Sequence, residues 1–240
     1  MVDLAVLRAA NARRWEVAKL TRNFNMVARS LLATKSRYVE VSLKTGVPWF
    51  FIAIVHEREA SQSWTGSLAQ GDPWNKVSVH VPAGRGPFAS WADAACDALT
   101  ECPPFAARNK DWSIGALLTE FEKYNGLGYA MRDLPSPYVW AGTDQYKSGK
   151  FTSDGEFNPV IVDQQLGCAG LLVAMMGMDP TIRFTDTTMP GLPLPPLPPL
   201  HPPVIPTPAP PPSITNPAPG SIGDTIAKIF AAIASVFRRK

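Results

Sequence analysis

Between Met189 and Gly220 about half of the residues are proline, in runs such as PGLPLPPLPPLHPPVIPTPAPPP. Proline has no backbone N–H and its ring fixes φ, so such a run cannot continue a helix and favours extended polyproline II. This stretch therefore divides the chain. The material able to bury a core lies before it, and the pattern predicts one folded domain over residues 1–183, a Pro-rich linker over 184–220 and a separate segment over 221–240. The linker reads as a spacer, or as a ligand for an aromatic-lined groove on a partner. In the last segment, SIGDTIAKIFAAIASVFRRK, an apolar stripe of Ile222, Ile226, Ile229, Phe230, Ile233, Val236 and Phe237 precedes Arg238, Arg239 and Lys240. The three basic residues complement the negative end of a helix dipole. An amphipathic helix on a tether is suited to lie on an anionic membrane, with Ile226, Ile229, Phe230, Phe237 and the three basic residues as its contacts. Packing back on the domain and docking on a partner are the other uses this pattern allows.

Within residues 1–183 the apolar spacing is mostly helical. Leu4, Leu7, Trp15, Leu20, Phe24, Val27 and Leu31 recur at three- and four-residue steps, predicting helix over residues 3–41 with a break near Asn23 and Asn25. Gly46 suits a turn and Pro48 the first turn of a new helix, predicted over 48–62. Val77, Val79 and Val81 alternate between Gly-Asp-Pro and Ala-Gly-Arg-Gly-Pro, which predicts an irregular hairpin or loop there. FASWADAACDALTEC and DWSIGALLTEFEKYNG return to helical spacing, the second with Asp111 or Ser113 as its cap and Asn125-Gly126 as its stop. Residues 127–158 read as loop, and NPVIVDQQLGCAGLLVAMMGMD as a final core helix. The expected fold class is mainly α: a helical bundle with a small β-hairpin, followed by the tether and the amphipathic helix.

The formal charge of +3 is mildly basic and well short of a nucleic-acid-binding signature, so no nucleic-acid partner is expected. Cys96, Cys102 and Cys168 cannot all pair within one chain and show no zinc spacing; with the unmatched spacing of His56, His80 and His201 they predict no metal and no cofactor. The N-terminal stretch MVDLAVLRAANARRWEV lacks a basic region followed by a continuous apolar core, so a standard secretory signal is not expected.

The stretch WFFIAIVHEREASQSW, residues 49–64, raises the question of chemistry. Seven apolar residues run directly into His-Glu-Arg-Glu. Glu59 lies one turn after Val55 and two turns after Phe51 and Ile52; Glu57 lies one turn after Ala53 and two after Phe50. Breaking a glycosidic bond needs a proton delivered to the leaving oxygen, and a glutamate held against apolar groups keeps its proton near neutral pH. Periodicity does not choose between Glu57 and Glu59, and composition alone favours two solvated residues at a helix end.

IVHEREAS resembles the catalytic helix of the lysozyme superfamily, in particular goose-type lysozymes and lytic transglycosylases. There a hydrophobic helix ends in an Arg/Gln-Glu-Ser type motif whose glutamate is the acid. Aligned in this way, Glu59 is the acid and Glu57 its neighbour; Ala60 stands where those families often carry serine, and Ser61 follows it. FEKYNGLGY is similar to the Tyr-Asn-x-Gly segment that lines the sugar cleft of transglycosylases. From HERE through GDPWN, HVPAGRGPF, ARNKDWS, YNGLGY, LPSPYVWAGTDQYKSGK and DQQLGCAGL, about residues 45–180 resemble, in order, the bacterial and phage lysozyme family proteins, some of them endolysins.

The resemblance implies an α+β lysozyme-like catalytic domain that cleaves peptidoglycan between N-acetylmuramic acid and N-acetylglucosamine, by hydrolysis or by the transglycosylase route. It implies Glu59 as proton donor and Asp72 of GDPWN as the second carboxylate, with Asp144 the next candidate. Loop aromatics are dense (Trp74, Tyr124, Tyr129, Tyr138, Trp140 and Tyr146), and Tyr124, Asn125, Tyr129, Trp140, Asp144 and Tyr146 are the expected glycan contacts. Each also has a plainer use: Asp72 as a turn residue before proline, Tyr138 and Trp140 as core plugs. His56 reads as a satisfied helix histidine and Cys168 as a small core residue. The expected partners are peptidoglycan strands and, through the tail, an anionic bacterial membrane. The expected setting is an enzyme made in the bacterial cytoplasm and acting on the wall after release. A non-catalytic wall-binding protein is the rival reading.

Overall fold

The computed structural model describes residues 2–69, 71–153 and 155–184. Most of the proposed linker, and the membrane contacts Ile226, Ile229, Phe230, Phe237, Arg238, Arg239 and Lys240, lie outside the described residues. The described part is mainly helical with one small antiparallel sheet. Its helices are α1 (Leu4–Val17), α2 (Asn25–Ala33), α3 (Lys35–Thr45), α4 (Trp49–Ala60), α5 (Trp91–Thr100), α6 (Ile114–Tyr124), α7 (Pro137–Trp140) and α8 (Cys168–Met178). Strands β1 (Lys150–Ser153) and β2 (Glu156–Asn158) form the sheet.

Helix α4 is the axis of the domain. Phe51, Ile52, Ala53, Ile54 and Val55 are all fully buried, so the helix is apolar on every side because it is enclosed on every side. It packs on α3 and α8 and also touches α2 and α6. Phe51 stacks on Phe121 of α6 with ring centroids 4.5 Å apart and meets Tyr124 edge-on at 5.8 Å. Burying a ring of this size stabilises the fold by about 3 kcal/mol, and truncating it to alanine in a packed core costs about 3–5 kcal/mol. At its start, Gly46 takes φ +74° after α3, as the sequence predicted for a turn, and Pro48 is the cap one residue before the first turn rather than inside it.

The end of α4 is abrupt. Ser61 and Gln62 both have positive φ, at 48° and 61°. Ser61 N–H donates to Glu57 O and Gln62 N–H to His56 O, which closes the orphan carbonyls of the last turn. Two successive non-glycine residues in this region cost about 1–3 kcal/mol each, a strain that tends to collect at functional sites.

The first long helical stretch is broken into three helices. Between α1 and α2, Leu20 bridges to Thr143 and Thr21 N–H donates to Gly142 O. The predicted final helix begins only at Cys168. Residues 159–167 stay irregular, and at their end Gly167 fits tightly on the 139–141 backbone, where a Cβ would lie 2.6 Å from Ala141 N and Val139 O. Of the hairpin or loop expected around residues 77–81, the structure forms the loop. Among the described residues the 77–81 stretch carries no strand; Val77 and Val79 are exposed, and the Val79 and His80 N–H groups donate to the Asp72 carboxylate. The real hairpin is β1–β2, inside the region read as loop, with Gly155 at φ +78° in its turn.

Candidate active site

The two glutamates at the end of α4 have different surroundings. Glu57 Oε2 accepts a 2.8 Å hydrogen bond from Gln62 Nε2, and Gln62 Oε1 accepts one from Ser30 Oγ. Burial raises the Glu57 carboxyl above its ordinary range, and the Gln62 bond pulls it back. Glu57 is thus spent on fastening the turn after α4 to α2.

Glu59 turns towards α7. Its Oε1 accepts a 2.6 Å hydrogen bond from the Tyr138 hydroxyl. Part of the residue reaches solvent while its carboxyl is enclosed by protein atoms. Burial pushes that carboxyl up to about 7; the Tyr138 hydroxyl and the Arg58 charge oppose the shift without cancelling it. Tyr124 of α6 and Cys168 of α8 also feel the Glu59 charge, and burial holds both side chains in their neutral forms. The Tyr124 hydroxyl is buried with no protein hydrogen-bond partner. A carboxyl with this pKa, against an apolar wall, can release a proton at neutral pH and take one back.

Arg58 braces the site from below. Its side chain is buried; its Nη1 donates to Leu166 O at 2.9 Å, and its guanidinium carbon lies 4.4 Å from the Tyr138 ring centre. Gln165 Nε2 donates to Arg58 O, so the loop before α8 is fastened to the last turn of α4. His56, two residues earlier, is a core residue. Its Nε2 faces the Ser63 carbonyl, which only accepts, so Nε2 carries the hydrogen and Nδ1 accepts from the Tyr38 hydroxyl. Burial lowers its pKa to about 4 and keeps it neutral.

The other expected residues are positioned differently. Asp72 is buried and committed: one oxygen takes the Val79 and His80 N–H groups, and the other meets His80 Nδ1 at 2.6 Å. Its burial penalty is outweighed by these bonds, so its carboxyl sits below its ordinary value. It works as the latch of the 72–80 loop. Asp144 is exposed and caps the start of the α1–α2 connection, accepting from Lys19 N–H. Trp140 is fully buried with Nε1 on Asn11 Oδ1, so its ring offers no face to a sugar. Tyr129 accepts from Phe151 N–H, and Tyr146 donates to Gly149 O while accepting from Asp163 N–H; both are buried pins of the hairpin region. Asn125 closes α6 and is partly exposed. Of the expected contacts, Tyr124 is thus brought to Glu59, whereas Trp140, Tyr129, Tyr146 and Asp144 serve the scaffold.

Sequence reasoning did not assign Tyr138, Arg58 or Gln62 to the site. Tyr138 appeared only among many loop aromatics, and its motif Pro-Tyr-Val-Trp carries no spacing that ties it to residue 59. Among the described residues no group of three or more His, Cys, Asp or Glu side chains is placed to hold a metal ion. Comparison with protein-family models, curated proteins and solved structures returned no match.

Proposed function

We propose that this chain is a lysozyme-like glycosidase that degrades peptidoglycan, cleaving between N-acetylmuramic acid and N-acetylglucosamine with Glu59 as the general acid. The observation that carries the reading is the Glu59 carboxyl. It is enclosed, bonded to Tyr138 and raised to about 7, at the end of a largely buried helix whose neighbouring glutamate is occupied elsewhere. Glu59 protonates the glycosidic oxygen as the bond breaks, and its carboxylate then accepts the proton of the attacking nucleophile. Tyr138 holds the carboxyl in one orientation, and the apolar wall of α4 favours its protonated form. A helical core built around one buried helix, with a small hairpin beside it, is consistent with a lysozyme-like architecture.

The commitment of Asp72 to three hydrogen bonds favours a second route on the same bond. In the transglycosylase reaction the sugar's own hydroxyl attacks, no carboxylate has to activate water, and Glu59 alone suffices. A peptidoglycan zymogram of wild type beside Glu59→Gln tests the reading: a cleared band for wild type and none for the variant supports it. Equal bands would remove Glu59 as the acid, and no clearing by either protein would leave a non-catalytic wall-binding protein as the better account.

A further inference from the structure

Arg58 is a buried cation, and a buried guanidinium without an opposing charge is costly. The opposing charge comes from Asp163, on the loop before α8. Its Oδ2 lies 3.8 Å from Arg58 Nη2, and both side chains are less than a tenth exposed. The other oxygen, Oδ1, takes Lys150 Nζ of β1 at 3.1 Å and the N–H of Gln165 at 3.1 Å. A continuous chain of charges therefore runs from the hairpin through Asp163 to Arg58, and Arg58 adjoins Glu59.

We propose that Asp163 is a positioning residue for the Glu59 site, balancing the charge of Arg58 and linking it to Lys150 on the hairpin. The groups around Glu59 leave Arg58 as the route by which charge reaches it. Tyr138 from α7, Tyr124 from α6 and Cys168 from α8 stay neutral in their buried positions. Glu57, on the same helix, is bonded to Gln62. Arg58 itself is also fixed by the Leu166 carbonyl and the Tyr138 ring, and an asparagine at 163 keeps a side-chain oxygen for the Gln165 N–H that holds this loop. Removing the Asp163 charge thus changes the balance of charge beside Glu59 while Arg58 keeps its place. The uncompensated guanidinium then favours the Glu59 carboxylate, and the acid loses its proton at lower pH. Removing Lys150 acts with the opposite sign, because it takes a cation out of the same chain.

The role of Asp163 rests on reading Glu59 as the acid, but its test does not need turnover. The Glu59 side-chain carboxyl is titrated by carbon-13 NMR, its signal assigned by its loss in Glu59→Gln, in wild type, Asp163→Asn and Lys150→Met. The midpoint falls by about one pH unit in Asp163→Asn. It rises in Lys150→Met, whose half-exposed side chain tolerates replacement. The alkaline limb of the activity profile moves with it in each case. A midpoint that stays in place in Asp163→Asn, or that moves the same way in both variants, overturns the proposal. Should Asp163→Asn fail to fold, Lys150→Glu carries the test: the midpoint rises further than in Lys150→Met, and no rise in either refutes the chain of charges. An inactive protein whose Glu59 titrates as described removes the glycosidase reading alone; an active one whose Glu59 is indifferent to both residues removes the role of Asp163 alone.

Discussion

Replacing Glu59 with glutamine should stabilise the folded protein in alkaline solution while ending its turnover. The folded-state pKa of about 7 stands above the ordinary 4.5, because burial penalises the charged carboxylate. A group raised on folding contributes its full stability below the unfolded pKa and loses it as pH rises through the folded one. Wild type therefore gives up stability between about pH 4.5 and pH 7 that a neutral glutamine never loses, while the glutamine carbonyl still accepts the Tyr138 hydroxyl. Between about pH 5 and about pH 8 the difference grows by about 2 kcal/mol, after allowance for the partly open edge of the residue. Urea unfolding of both proteins at the two pH values, taken as a difference, cancels every other titrating group. A difference that does not change with pH would mean that Glu59 ionises as an ordinary surface carboxylate, and the argument for a protonated acid would fail.

Glu57→Gln keeps the Gln62 contact within reach and should lose far less activity than Glu59→Gln, by about a hundredfold in rate; the reverse order would move the acid to Glu57. Glu122, buried beside Asn11 and also raised to about 7 by burial, predicts a stability change of the same sign. Glu122→Gln should therefore unfold at higher urea than wild type above about pH 7 with turnover retained, and equal curves at every pH would contradict it. Asp72→Asn disrupts the latch on Val79 and His80 and should cost about 1–3 kcal/mol in thermal or chemical unfolding. Its turnover well below the melting temperature should remain; abolished turnover in a folded Asp72→Asn protein would restore Asp72 to the chemistry.

The parts of the fold legible in the sequence are those set by local rules. Gly46 and Pro48 punctuate the chain at the start of α4, and a run of apolar residues needs enclosure, so α4 was readable before any contact was known. Sequence reasoning leaves a hairpin open at 77–81 and misses the one at 150–158 for a physical reason. Alternating valines supply the pleat of a strand but no partner, and around Val79 the Asp72 carboxylate satisfies the backbone instead. The Ser153-Asp154-Gly155-Glu156 sequence held the better signal, an Asp-Gly pair of the kind that favours tight hairpin turns. Trp140, Tyr129 and Tyr146 turn out to be scaffold residues, unlike Tyr124, because composition says that rings are present and not which way they face. Trp140 and Tyr146 fill the interior, while Tyr138, two residues from Trp140, reaches the Glu59 carboxyl. The choice between Glu57 and Glu59 depended on contacts to residues 62 and 138, the second far from α4 in sequence, which helical periodicity cannot encode.

The most direct test of Glu59 as a glycosidic acid is the mass spectrum of the muropeptides released from purified peptidoglycan. Wild type should release disaccharide fragments ending in a reducing or a 1,6-anhydro N-acetylmuramic acid, and Glu59→Gln should release them at least a hundredfold more slowly. Release by Glu59→Gln at the wild-type rate, or fragments cut at a peptide bond with the glycan intact, would contradict it.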